Sequence, residues 1–151
     1  MDDQRKLGFA FSCLINAPLR EVFETITDKA AINSFFTDAS SASLAAGRTV
    51  YWRFGEDEID VHVEEFVPDE RIVCDWPACN DVGYRTQFTF AFEARDDCTK
   101  VIVSESGWRS DKEGIESAFE QCSGWTHFFA SLKARLEHGV DLKRFYCDHE
   151  G

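Results

Sequence analysis

The 151-residue sequence has no run of about 18 apolar residues, the length a helix needs to cross a bilayer. Its opening, MDDQRKLGFAF, is charged where a secretory leader has an apolar stretch. A cytoplasmic location without membrane insertion is therefore expected. Basic residues are scarce: 16 Lys and Arg face 28 Asp and Glu, for a formal net charge of -12. Such a surface repels phosphate backbones and anionic headgroups, which argues against nucleic acid as a partner. The six cysteines (Cys13, Cys74, Cys79, Cys98, Cys122 and Cys147) form no C-x-x-C pair and no tetrahedral ligand spacing. They are expected to stay reduced as small buried hydrophobes, with no metal among them. There is no Gly-rich phosphate loop, no G-x-S-x-G elbow and no H-E-x-x-H. Ser, Cys and His form no recognisable nucleophile set, so no catalytic residue and no cofactor is expected. Repeats and linkers are missing too, and the length suits one domain over residues 1–151.

Large flat side chains are abundant: 14 Phe and four Trp raise the aromatic share to 14%. They can fill a core or line a pocket, and composition does not separate the two uses. Their spacing is more informative. Phe9, Phe11, Cys13 and Ile15 share one face of a strand over residues 8–15. Asn16-Ala17-Pro18 stops it, with Pro18 suited to the first position of a helix. Leu19, Val22, Phe23 and Ile26 then make one helical stripe, and Asp28 can cap a second short helix through Phe35. Residues 38–46, rich in Ser and Ala, read as a loop. Five strands follow, over 49–54, 58–67, 71–76, 84–94 and 99–106, joined by short turns as an antiparallel meander. Only the 77–83 connection is longer.

The last element is a long helix. Ser110-Asp111-Lys112-Glu113 has capping-box form, but Gly114 weakens the first turn and moves the expected start toward Ile115. Ala118, Cys122, Trp125, Phe129, Leu132 and Leu136 advance as one buried stripe, and Gly139 suits the helix end. The expected fold is α+β: a sheet of about six strands with one face to cover, and one helix large enough to cover it.

Phase also sorts the titratable groups. His62 is out of step with Ile59, Val61 and Val63, and so points away from the core. His127 lies about 200° round its helix from Trp125. His138 and His149 sit at or beyond the helix end, so no histidine is placed to act inside. Glu105 is in phase with Val101 and Val103 and should point inward. Burial would raise its pKa unless a cation paired with it, and Arg53 or Arg109 could serve. It is either a polar anchor for a ligand or a general base, or a solvated or ion-paired rim residue. Eight acidic residues (Glu56, Asp57, Glu58, Asp60, Glu64, Glu65, Asp69 and Glu70) crowd one hairpin. They read either as a docking face for a basic protein or as a solvated outer face that discourages edge aggregation.

Four segments carry a family resemblance: INAPLREVFETITD, VPDERIVCDW, TKVIVSESGW and GWTHFFASLKARLEHG. The first, second and fourth match the A-P-x-x-x-V-[WF], P-x-x-x-I-x-x-x-W and G-W-x-x-x-[LF]-x-x-L-K patterns of the START-like (SRPBCC) superfamily, and the third also resembles that superfamily. The chain resembles, over residues 9–142, the branch homologous to the activator of the heat-shock protein 90 ATPase. The resemblance implies a helix-grip fold, a curved antiparallel sheet wrapped around the C-terminal helix. It also implies a cavity between the two that often holds an apolar ligand.

On that implication the lining would come from Trp52, Phe54, Val63, Trp76, Tyr84, Phe88, Phe90, Val103, Glu105, Trp108, Cys122, Trp125 and Phe129. Trp52, Trp76 and Tyr84, near strand ends, suit the mouth; Phe88, Phe90, Trp125 and Phe129 equally well close the core. The leading expectation is non-catalytic binding of a hydrophobic, amphipathic or lipid-like small molecule by a monomer or weak dimer. The alternatives are a chaperone-associated or stress-response interaction domain and a cyclase-type enzyme using Glu105 and Tyr84. The resemblance supports the chaperone reading less, because the eukaryotic relatives carry a further domain.

Overall fold

Two-residue alternation turns each strand's apolar side chains to one face, and short turns set neighbours in register. The computed structural model describes residues 7–79 and 83–142, so Cys147 and His149 lie outside the described residues. β1 (Leu7–Ile15) leads into α1 (Leu19–Thr27) and α2 (Lys29–Asn33). β2 (Ala39–Ser40), β3 (Thr49–Phe54), β4 (Asp57–Val67) and β5 (Arg71–Pro77) follow. β6 (Arg85–Arg95), β7 (Cys98–Trp108) and α3 (Lys112–His138) complete the order. The strands form one sheet in the order β1-β7-β6-β5-β4-β3-β2, antiparallel throughout. The first strand thus lies beside the last.

The strand missing from the sequence reading is β2, inside the segment expected as a loop. It pairs Ala39 with Arg53 and Ser40 with Trp52, and two residues are too few to show a period. Pro18 is the N-cap of α1 in extended backbone, one residue before the first helical position. α2 stops at Asn33 rather than Phe35, after Asp28 caps it by accepting from the Ala31 amide at 3.0 Å.

Long β-strands drift in phase, and bulges correct this. One lies between Val63 and Glu65, and it returns Phe66 toward the inner face, where its ring meets Phe23 at 5.5 Å. A second lies where Leu7 and Gly8 face Trp108 and Ser106. Gly107 adopts φ 119° there, and Trp108 is fully buried.

α3 runs 27 residues, about 40 Å, and crosses the inner face of the sheet. It starts at Lys112, three residues before the expected Ile115. Asp111 is the cap, and its carboxylate accepts from the Gly114 amide at 2.8 Å. Gly114 is required at this start. A Cβ there would lie 1.9 Å from the Arg109 carbonyl oxygen. Gly114→Ala should therefore displace the β7–α3 junction and cost about 1–3 kcal/mol, as overpacking does. Urea unfolding measures this, and an unchanged midpoint would show that the junction yields freely.

The buried face of α3 is wider than its stripe, because the sheet curves around it. Trp125, Phe129 and Leu132 are buried as expected, but so are Phe128 and Ser131. Phe128 sits 5.3 Å from Phe35 and 4.8 Å from Phe36, side chains that arrive from the α2 segment. Cys122 and Leu136 are only half-buried.

Candidate functional site: an aromatic cavity backed by a buried carboxylate

One helix cannot fill a curved sheet along its whole length. At the end of the grip nearest the β3–β4 turn a cavity of about 730 Å³ remains, within the range of small-molecule pockets. Its walls come from four parts of the chain. Phe36 follows α2, Phe54 and Ile59 flank the β3–β4 turn, Trp76 and Pro77 end β5, and Ala78 and Cys79 follow it. Gln121, Gly124 and Trp125 face it from α3. Asp57 and Glu58 complete the lining.

The two Trp walls are held from behind. Trp76 and Trp125 stack with ring centres 5.5 Å apart and planes inclined by 21°. Both indole N–H groups donate to Glu105, Trp76 at 2.9 Å and Trp125 at 2.7 Å. The Thr86 hydroxyl adds a third bond at 2.6 Å. Glu105 is 1% exposed. Burial pushes its carboxyl above the ordinary value, and the bonds from Thr86, Trp76 and Trp125 offset only part of that. The cation expected from Arg53 or Arg109 is not there. Arg53 is exposed, and the Arg109 guanidinium lies over the Tyr84 ring at 4.7 Å. Three neutral donors satisfy the carboxylate instead, so Glu105 fixes ring orientation from inside the core.

Of the residues expected to line a cavity, Phe54, Trp76 and Trp125 do so. Trp52, Val63, Phe88, Phe90, Val103 and Phe129 are packed in the main core. Trp108 and Tyr84 belong to a separate small cluster, where Trp108 stacks on Phe9 at 5.6 Å. The Tyr84 hydroxyl accepts from the Arg109 amide at 2.9 Å, so it does not face Glu105. Phe36, Asp57, Glu58, Ile59, Pro77, Ala78, Cys79, Gln121 and Gly124 were missed; all but Ile59, which was read only as part of its strand's alternating face, are turn, strand-end, loop or off-stripe helix positions that carry no periodic signal. Gly124, next to a stripe Trp inside a helix, was the one available clue.

Chemistry in the lining is limited. Burial raises the Cys79 thiol, which donates to the Ser117 carbonyl at 3.0 Å. It is a poor nucleophile in that state. His127 and His138 are exposed. His62 is on the outer face of the sheet, where Nδ1 bonds Asp75 at 2.9 Å. Ligand atoms of His62, Glu64 and Asp75 gather there within 4.8 Å. Asp75 already carries Arg85 at 2.5 Å, and Gln87 donates to Glu64 at 2.6 Å, so the residue partners are engaged without an ion.

A sheet gripping one long helix, with an apolar cavity at one end of the grip, defines a helix-grip α+β domain. The chain belongs to the family of activator of Hsp90 ATPase homolog 1-like proteins, which matches residues 16–137. None of the curated proteins matches. Solved structures do. Protein SSP2350 from Staphylococcus saprophyticus is 26% identical with a TM-score of 0.76, over 89% of this chain and 95% of its own. DynU16, from the dynemicin biosynthetic locus, is 26% identical with a TM-score of 0.78 over 90% of this chain. This chain spans about half of DynU16, 49%. Aha1 from Colwellia psychrerythraea, solved as a dimer, shares the fold at 22% identity and a TM-score of 0.72, over 88% of this chain and 98% of its own. No described helix is long and apolar enough to cross a membrane.

Proposed function

We propose that the cavity between α3 and the open end of the sheet binds a hydrophobic or amphipathic small molecule without transforming it. The observation that carries this reading is the preorganised aromatic wall. Glu105 accepts hydrogen bonds from both Trp76 and Trp125 from behind, and walls held in this way lower the ordering cost of binding. The fold commonly holds hydrophobic ligands. A cytoplasmic monomer or weak dimer is the setting we propose. A protein-contact role has less support, since the exposed large apolar side chains among the described residues, Leu14, Tyr51, Ile115, Phe119 and Val140, are divided among β1, β3, α3 and the segment after it.

Gly124 provides a direct test. A Cβ there meets nothing within 4 Å, and the position lines the cavity. Gly124→Leu should leave the fold at least as stable, since Gly costs a helix about 0.5–1 kcal/mol. It should weaken a neutral aromatic probe, naphthalen-2-ylmethanol, at least about tenfold by calorimetry. Unchanged affinity would place the binding elsewhere. Mass spectrometry of gently purified protein, native and then denatured, should show a released apolar adduct when the cavity is filled in the cell.

A further inference from the structure

Resting on that reading, we infer that the ligand is an amphiphile with an apolar or aromatic body and a cationic head. The signal is the fate of the acidic hairpin. Most of its carboxylates are engaged in the folded chain. Asp60 binds Arg85, Glu65 binds Arg71 and Asp69 binds Arg20. Glu70 lies 3.8 Å from Arg71, and Glu64 accepts from Gln87. Among the described residues, Asp57 and Glu58 have neither an ion pair nor a hydrogen-bonded side-chain partner, and both line the cavity.

Three features then agree in sign. Among the described residues, no Lys, Arg or His lines the cavity, so none of them pairs an anionic head there. Phe36 and Phe54, both half-buried, bring aromatic rings to the walls beside the two tryptophans, and aromatic rings attract cations. The Glu105 carboxylate accepts from both indole N–H groups, which places the negative end of that network behind the rings. The net charge of -12 adds a field that draws cations and repels anions. A body seated among the rings would leave a head group beside Asp57 and Glu58.

Three naphthalene probes that differ only in head group test this: 2-naphthylmethyl trimethylammonium, 2-naphthylacetate and naphthalen-2-ylmethanol. Calorimetry at neutral pH and low salt should give the cation about tenfold tighter binding than the carboxylate. That preference should shrink with added salt. In the double variant Asp57→Asn/Glu58→Gln, most of the preference should vanish, read as the ratio of cation to carboxylate affinity. Equal or tighter binding of the carboxylate overturns the inference and leaves the cavity reading intact. So does a preference that survives the double variant. Failure of all three probes to bind the unmodified protein overturns the cavity reading and the inference together.

Discussion

Trp125→Ala should destabilise the fold by about 3–5 kcal/mol, as large core truncations do. Trp125 is 1% exposed. Its ring centre lies 5.2 Å from Phe88, 5.3 Å from Phe90 and 5.3 Å from Phe128, besides the stack on Trp76. Truncation would open a void among these rings and leave one Glu105 oxygen without its donor. Trp125→Phe separates the two losses. It keeps most of the ring volume but lacks the N–H, and should cost about 1–3 kcal/mol. Urea midpoints measure both. A loss below about 1 kcal/mol for the Ala variant would contradict the packing described for α3.

The second large effect belongs to Glu105 and is read as a change with pH. Burial places its folded pKa above the ordinary 4.5, so the folded chain binds that proton more tightly than the unfolded chain. The stability it contributes is full below about pH 4.5 and is lost as pH rises through the folded value. Glu65, Asp75 and Glu137 behave oppositely. Charged or hydrogen-bonding neighbours hold them below their ordinary values, so their contributions are lost as pH falls. Comparing the protein with Glu105→Gln cancels those opposing groups.

A protonated Glu105 can turn its O–H to the Thr86 oxygen while both carboxyl oxygens still accept from the indoles. The Gln amide nitrogen has no lone pair and would meet an N–H head-on. Glu105→Gln should therefore be less stable by about 1–3 kcal/mol near pH 5. The deficit should narrow toward pH 8, because only the carboxyl loses stability as it ionises. A deficit that stays constant from pH 5 to pH 8 would show that Glu105 titrates like an exposed carboxylate.

Some of the site was legible beforehand, and the reason is periodicity. Glu105 shares the phase of Val101 and Val103, so its inward direction could be read from strand alternation. Its partners could not. Trp76 is 29 residues away in the sequence and Trp125 is 20, and their meeting depends on where β5 and α3 pass each other. An arginine partner is the natural guess for a buried carboxylate. The two indoles reach it because the last turn of β5 and the middle of α3 converge on the same end of β7. Trp52 and Trp76 look alike as strand tryptophans and both are packed in the core, yet only Trp76 also lines the cavity.

The sequence by itself determined the order of long elements, the inward phase of most strand residues, a sheet covered by one long helix and the acidic surface. Those follow from local period, turn residues and charge count, which need no knowledge of distant neighbours. The tertiary structure alone decided where the grip is left unfilled, which carboxylates find arginines and which two are left at the cavity. It also decided that a glycine must open α3. Each of these depends on the sheet's curvature and on contacts between elements far apart in the chain, and no local pattern encodes either.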